Sequence, residues 1–330
     1  MNDSELWLHR AQLSWEALDR VGLRRRSGRV TVKEPGGVRA VPLWPFSQVL
    51  HTAIALSSAQ VVQRGVAHDV LTALESYRSG EAYAERPTNN RRYYDDNAWV
   101  ALATIDYDTQ QSLDTARRIL TFLHQGSDEL VDGVIGVRWV EKGLNHHACS
   151  TGSTGLAAAR LANRGVIDRE EGMSFARGCA AFLRRLEDAD GLVRDHQRPD
   201  GGIDGAIYTY NQGLTVGLLV EIGQIDEAAA LASRTMKAFH DERLWKHAPV
   251  FNSIFMRELM RLHSVWPDRQ YLEYCASYLE RVWNEARNPS TWILRGGGIG
   301  TYDKDVLLDH AGLVHAMFAL GSALGSGTAG

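Results

Sequence analysis

Two adjacent carboxylates, Asp95 and Asp96, are the residues of this chain best suited to chemistry. Aromatic side chains lie on both sides of the pair, with Tyr94 before it and Trp99 after it. Two carboxyl groups with different pKa values are the minimum equipment for cleaving a glycosidic bond. The alternative is an ordinary helix start, in which one aspartate is the N-cap and the other lies in the first turn.

The spacing of the pair permits the catalytic interpretation. Successive Cα atoms lie about 3.8 Å apart, so diverging side chains could hold the two carboxyl carbons roughly 5–6 Å apart, close to the value of about 5–5.5 Å in retaining glycosidases. One ionised aspartate of the pair would raise the pKa of its neighbour, as a general acid working near neutral pH requires. Asn97 adds a neutral amide that can bind a sugar hydroxyl.

Two further segments carry candidate substrate-binding residues. The first contains Asp204 and then Tyr210, Asn211 and Gln212 at a helix start, where an aromatic ring can stack on a sugar and two amides can bind its hydroxyls. Helix capping by Thr209 or Asn211 explains the same pattern equally well.

The second segment contains Trp139 and, before Cys149, the adjacent histidines His146 and His147. Adjacent histidines do not share a helix face, so they make a poor metal pair. The three cysteines lie far apart without CxxC spacing, which argues against a disulfide framework or a zinc site. We therefore predict no metal and no cofactor, and we expect Gly296–Gly298 to form a flexible turn rather than a nucleotide site.

Helical periodicity dominates the chain and predicts about twelve helices. The predicted helices cover residues 4–21, from about 42, 67–79, from about 95, 109–124, 150–163, 169–188, 209–222, 226–239, 250–263, 269–286 and 306–324. Short strand signals at 134–140, 191–194 and 292–294 lie in the connections. Twelve helices fit six α-hairpins closed into an all-α (α/α)6 barrel, although an open solenoid gives the same count.

Composition predicts one domain over residues 1–330, with a frayed tail at 325–330, because there is no linker and no shift of composition. The net charge of −4 excludes the basic footprint of a nucleic-acid binder, and we expect the local cluster Arg24–Arg26 to be a solvated loop. No apolar stretch approaches the roughly 20 residues of a membrane span. The N-terminus lacks a signal-peptide core, so we expect a cytoplasmic protein, or a secreted one whose leader was removed.

An ordered set of motifs resembles glycoside hydrolase family 76, the α-1,6-mannanases. The matching elements run along nearly the whole chain: Tyr94-Asp95-Asp96-Asn97-Ala98-Trp99, Trp139, Ala148-Cys149-Ser150-Thr151-Gly152, Gly191-Leu192-Val193, Asp200-Gly201-Gly202-Ile203-Asp204, Thr209-Tyr210-Asn211-Gln212-Gly213, Phe255 with Arg257, and Leu308-Asp309-His310-Ala311. The resemblance implies an (α/α)6 barrel that cleaves α-1,6-linked mannan or mannooligosaccharides with retention, without metal or cofactor.

Carried over by position, the resemblance makes Asp95 the nucleophile and Asp96 the general acid/base. The substrate-binding candidates are then Tyr94, Asn97, Trp139, His146, His147, Asp204, Tyr210, Asn211 and Gln212. The chain departs from the family's pattern in two places: His146–His147 stand where a Lys-Asn pair is expected, and Asn252–Ser253 replace a Lys-Gly-like pair. These departures leave the sugar and exo-like action open.

Three alternatives share the barrel. A sugar epimerase or isomerase of the N-acylglucosamine 2-epimerase type would use histidines as bases, and the candidates are His51, His146, His147, His247 and His310. An unsaturated uronyl hydrolase also uses aspartates, but those lie far apart in sequence. A glycan-binding protein on a degenerate barrel would bind mannooligosaccharide without turnover.

Overall fold

The computed structural model describes residues 2–296 and 303–326. Its helices are α1 Asp3–Gly22, α2 Leu43–Ser58, α3 Gly65–Leu74, α4 Tyr94–Tyr107, α5 Gln110–His124, α6 Ala148–Asn163, α7 Arg169–Arg185, α8 Thr209–Glu221, α9 Ile225–Ala238, α10 Asp241–Trp245, α11 Pro249–Val265, α12 Arg269–Arg281 and α13 Leu307–Ser326. A 3-10 turn Glu75–Tyr77 follows α3, and a π-helical turn Val282–Ala286 follows α12. All twelve predicted helices are present among these residues.

Within the described residues, four two-stranded antiparallel pairs lie in the connections. Their strands are β1 Leu23–Arg26, β2 Arg29–Val32, β3 Arg78–Ser79, β4 Ala82–Tyr83, β5 Ser127–Val131, β6 Val134–Val137, β7 His146–His147 and β8 His196–Gln197. Consecutive strands pair, and only the partners β7 and β8 are separated by helices, namely α6 and α7.

Sequence patterns misplaced four local features. Arg24–Arg26 is not a loop but exposed strand β1, joined to β2 through Ser27 and Gly28, which both have positive φ as a tight hairpin turn requires. The third helix stops at Leu74 rather than 79, because Arg78–Ser79 pairs with β4. The single-turn helix α10 is too short to show a periodicity. The last two residues of α13, Gly325 and Ser326, belong to the tail expected to fray.

The glycine turn was also predicted, but residues 297–298 lie outside the described residues, as do 327–330 of the tail.

Six helices, α2, α4, α6, α8, α11 and α13, are buried on nearly every side, whereas α5, α7, α9 and α12 bury one face each. The residues fall into two compact units, Tyr77–Thr235 and the pair of segments Met1–Ser76 and Met236–Gly330. In the first unit, α6 packs against α4, α7 and α8. In the second unit, α13 packs against α1, α2 and α11. The single domain stays a prediction.

Helix α13 corrects the prediction that no apolar stretch approaches the length of a membrane span. Its length and a mean hydropathy of 1.3 are those of a membrane span, and 61% of that window is buried inside the protein. Burial against three other helices is typical of a core helix, which meets the same criteria as a span.

A repeated backbone clamp fixes the starts of the buried helices. In five of them, the fourth helical residue is polar and its side chain bonds to the backbone of the segment that precedes the helix. The pairs are Asn97 with Tyr83, Thr151 with Val137, Gln212 with Val193, Asn252 with Leu244 and His310 with Leu294. In α2 this position is the apolar Phe46. The clamps satisfy backbone groups that would otherwise be buried without partners.

Candidate active site

Short stretches of extended chain join the starts of α4, α6 and α8 in the unit Tyr77–Thr235. Tyr93 pairs with Val140 before α4, and β7 pairs with β8 before α6. The N-caps of these helices, Tyr93, His147 and Tyr208, provide no side-chain cap. Instead, the first amide of α4 donates to the Trp139 carbonyl at 2.9 Å, and the first amide of α6 donates to the Asp195 carbonyl at 2.8 Å. The helix starts are therefore fixed by neighbouring strands.

The second residue of each of these helices points to a common centre. These residues are Asp95, Cys149 and Tyr210. The Cys149 thiol donates to Asp95 Oδ2 at 3.6 Å, and the Tyr210 hydroxyl donates to the Cys149 sulfur. Burial raises the pKa of both the thiol and the phenol, so both keep their protons and remain donors. The chain of two bonds ends on the Asp95 carboxylate.

Two other groups donate to the Asp95 carboxylate besides the Cys149 thiol. The Trp139 indole N–H donates to Oδ2 at 2.9 Å, and the Asp96 backbone N–H donates to Oδ1 at 3.0 Å. Burial raises the pKa of Asp95 to about 6, and the bonds from Trp139, Asp96 and Cys149 oppose that rise. The site therefore favours the ionised form of Asp95 near neutral pH.

Asp96 lies in a different environment although it is the next residue. It is 8% exposed, and its carboxyl group makes no hydrogen bond within the described part of the chain. Burial raises its pKa well above the usual range, and the charges of Asp95 and Glu85 raise it further. Asp96 is thus the group that keeps a proton while Asp95 is ionised, which is the division of labour that an acid and a nucleophile need.

Aromatic rings form a row beside Asp95. Tyr93 lies 5.0 Å from Trp139, Trp139 lies 5.6 Å from His147, and His147 stacks on His196 at 4.5 Å, measured between ring centroids. Trp139 is 41% exposed, so its ring face is available to a ligand while its N–H is bound to Asp95. Such a surface suits the apolar face of a sugar ring.

Three of the predicted substrate-binding residues support the fold instead. Asn97 and Gln212 are fully buried and use their amides as backbone clamps. Tyr94 is buried, and its ring centroid lies 4.9 Å from that of Phe122. The same ring packs so closely against Gly126 that a Cβ there would lie 2.5 Å from it. Since none of these side chains presents surface to a ligand, their assignment as substrate contacts is corrected to positioning the start of the helices.

The two adjacent histidines point to opposite sides. In β7, successive side chains alternate between faces. His146 lies over Gly136 with Nε2 2.8 Å from Asp128 Oδ2, whereas His147 faces His196 and Asp195. His147 therefore lies beside Asp195 and His196, whereas His146 projects from the other face; its contact with substrate stays a prediction.

The remaining predicted residues lie close to Asp195, which sequence reasoning missed. Asn211 is fully buried, and its side-chain amide donates to Asp195 Oδ1 at 3.3 Å. Asp204 is partly exposed, accepts from the Ala206 amide at 3.0 Å, and donates its backbone N–H to the His196 carbonyl at 2.9 Å. Cys149 belongs to a motif of the family resemblance, but nothing in the sequence identified Cys149, Asp195 or His196 as a partner of Asp95 or His147.

Two of the histidines proposed as isomerase bases, His310 and His247, are engaged elsewhere. His310 accepts the Leu294 amide at Nδ1 and lies 2.9 Å from the Ser14 carbonyl through Nε2, so both ring nitrogens are used. His247 packs against the rings of Phe239 and Phe251.

The family model of glycosyl hydrolase family 76 matches residues 27–291. The chain belongs to glycosyl hydrolase family 76. No curated protein sequence matches it. The fold is that of solved family members, and the predicted (α/α)6 barrel is confirmed. Family membership makes the chain a glycoside hydrolase.

Three solved structures illustrate the similarity. A family 76 mannosidase from Bacteroides thetaiotaomicron VPI-5482 superposes with a TM-score of 0.83 at 20% identity, over 98% of this chain and 99% of that one. An α-1,6-mannanase from Salegentibacter sp. HEL1_6 gives 0.77 at 19%, over 96% and 99%. A D-mannose isomerase gives 0.71 at 12%, over 99% of both chains. At these identities the similarity establishes the fold and leaves the reaction to the site.

Proposed function

We propose that this family 76 glycoside hydrolase cleaves α-1,6-linked mannooligosaccharides or mannan with retention of configuration. The observation that carries the proposal is the contrast within the adjacent pair. Asp95 is held by three hydrogen-bond donors, whereas Asp96 is buried without one in the described residues, and the two pKa values are separated accordingly. Asp95 is thus suited to attack the anomeric carbon, and Asp96 is suited to protonate the leaving oxygen.

In the first step, Asp95 attacks the anomeric carbon while the bond to the leaving oxygen breaks, and Asp96 gives its proton to that oxygen. In the second step, Asp96 takes a proton from water as the water attacks the same carbon, and the bond to Asp95 breaks. Two displacements restore the original anomeric configuration. Trp139 and Cys149 keep the Asp95 carboxylate aligned with the anomeric carbon through their hydrogen bonds.

The substrate class rests on the aromatic row and on the relatives. The Salegentibacter α-1,6-mannanase was captured with α-1,6-mannotriose as an inactive variant in which two consecutive aspartates are replaced by asparagine. This chain also has two consecutive aspartates. Beside them the rings of Trp139 and His147 lie 5.6 Å apart, an arrangement suited to contact with a sugar. We infer the same class of substrate here.

Replacement of each carboxylate separates the two roles. Asp95→Ala should abolish turnover, and added azide should restore it with formation of the β-mannosyl azide, because azide then replaces the nucleophile. Asp96→Ala should keep activity on aryl mannosides with good leaving groups, and azide should give the α-mannosyl azide. Near-native activity of Asp95→Ala would exclude it as the nucleophile.

The sugar and the mode of action follow from product analysis. The wild-type protein should release mannose or shorter mannooligosaccharides from α-1,6-mannooligosaccharides and leave α-1,6-glucooligosaccharides intact. Cleavage of the glucan series alone would change the sugar and keep the mechanism. Binding of the mannan series without turnover would favour a glycan-binding protein instead.

A sugar isomerase is the second candidate, because the D-mannose isomerase shares the fold over the whole chain. Isomerisation moves a proton between carbon atoms, so incubation of mannose in deuterated water would place deuterium on carbon. A glycosidase should leave the carbon-bound hydrogens of mannose unlabelled. Deuterium incorporation without oligosaccharide cleavage would replace the glycosidase proposal by this one.

A further inference from the structure

Three potential metal ligands lie close together beside Asp95 and Asp96. The sequence offered only the pair His146–His147 and the cysteines as metal ligands, and neither set is the one found here. They are His147, Asp195 and His196, and one ligand atom of each lies within 4.8 Å of the others. Asp195 Oδ2 is 2.9 Å from His196 Nδ1 and 3.7 Å from His147 Nδ1. All three side chains are partly exposed, so an ion can reach them.

Strand pairing brings the two imidazoles together. His147 and His196 are direct partners in the antiparallel pair of β7 and β8, so their side chains project from the same face. Their rings are stacked with an interplanar angle of 19°. His146, one residue earlier, projects from the other face toward Asp128.

Groups around the cluster hold the carboxylate in place. Asn211 donates to the second oxygen of Asp195, and the Ala148 amide donates to the Asp195 carbonyl. Such outer contacts orient the first ligands of metal sites.

We propose that His147, Asp195 and His196 bind one divalent cation of the zinc class. Two imidazoles and one carboxylate suit Zn²⁺, Co²⁺ or Ni²⁺, whereas Mg²⁺ and Ca²⁺ take oxygen ligands. Three protein ligands leave at least one coordination position open to water or a sugar hydroxyl. The site is independent of the glycosidase proposal, because binding requires no substrate and no turnover.

The position of the cation gives it access to the catalytic residues. The His147 ring contacts Trp139, whose N–H is bonded to Asp95. A bound ion would fix the His147 ring and so one end of the aromatic row. This is a further role for His147, which the sequence pattern offered as a sugar contact or as an isomerase base.

The test uses the full-length protein after removal of metal with a chelator. Titration with Co²⁺, followed by its visible absorption, and with Zn²⁺, followed by calorimetry, should give one ion per chain, and Mg²⁺ should not bind. His147→Ala and His196→Ala should each weaken binding at least tenfold. His146→Ala is the matched control and should bind as the wild type does.

Two further variants distinguish the loss of a metal ligand from a general disturbance of the structure. Asp195→Asn keeps the hydrogen-bonding shape and should also weaken binding at least tenfold while circular dichroism stays unchanged. Cys149→Ser should bind normally, because the buried thiol is not a ligand. The proposal is overturned if the wild type binds no stoichiometric Co²⁺ or Zn²⁺, or if binding survives in His147→Ala and is lost in Cys149→Ser.

Discussion

Replacement of Trp139 by phenylalanine tests how the site controls the ionisation of Asp95. The substitution keeps an aromatic ring but removes the indole N–H that donates to Oδ2 at 2.9 Å, together with part of the ring surface. That bond is the largest of the contributions that lower the pKa of Asp95 against burial. Without it, the carboxylate loses stabilisation and the pKa of Asp95 must rise.

The size of the shift follows from the energy of the lost bond. A hydrogen bond to a charged group contributes about 1.5–3 kcal/mol, and one pKa unit corresponds to about 1.4 kcal/mol. Because Trp139 is 41% exposed, water replaces part of the bond, so the lower end applies. We expect a rise of about 1 unit, from about 6 toward about 7.

The assay is the pH dependence of kcat/KM on an α-1,6-mannooligosaccharide. The profile reports ionisation in the free enzyme, so the acid limb should move up by about 1 pH unit. At pH 5, the ratio of kcat/KM to its own plateau should then be about tenfold lower in Trp139→Phe than in the wild type.

Tyr93→Phe is the matched control. Its ring lies beside Trp139 but makes no hydrogen bond to Asp95, so the acid limb should stay in place. Loss of sugar stacking lowers the plateau without moving the limb, so the two effects of Trp139→Phe are separable. An acid limb at the wild-type pH in an active Trp139→Phe enzyme, or an equal shift in Tyr93→Phe, would refute the reasoning.

Three further predictions concern stability. Asn97→Ala leaves backbone groups of the β3–β4 hairpin unpaired and should lower the free energy of unfolding by roughly 2–4 kcal/mol in urea titrations; a loss below about 0.5 kcal/mol would contradict the clamp. Burial lowers the pKa of His310 to about 4, so the unfolded chain binds its proton first as the pH falls from about 6.5, and stability should drop by up to about 3 kcal/mol by pH 4. His310→Gln should reduce that slope, and an unchanged slope would assign it to other groups. Gly126→Ala places a Cβ 2.5 Å from the Tyr94 ring and should cost about 1–3 kcal/mol, whereas Gly205→Ala, with open space around it, should be nearly neutral in the same thermal unfolding assay.

Local sequence patterns predicted the helices well because apolar periodicity and capping residues are local properties. The fifth helix is an example, since Thr109 was expected at its start and forms a capping box with Ser112. The Asp95–Asp96 pair could also be found, because both residues are adjacent and flanked by aromatics.

The partners of the pair could not be found in this way. Cys149, Asp195 and His196 reach the site through pairing of strands that are distant in sequence, and periodicity carries no information about such contacts. The same limit explains the misassigned amides. Asn97 and Gln212 have side chains suited to sugar hydroxyls, but their common place as fourth helical residue makes them backbone clamps. The shared role of the fourth helical residue becomes visible only when the observed starts of the buried helices are compared.

The most direct test of the central claim is to locate the glycosyl-enzyme. A 5-fluoro-mannosyl fluoride should react with the wild-type protein, and proteolysis followed by tandem mass spectrometry should place one sugar on a single aspartate. The account predicts the adduct on Asp95, the carboxylate that Trp139 and Cys149 hold. An adduct on Asp96, or release of the inverted anomer without any adduct, would contradict it.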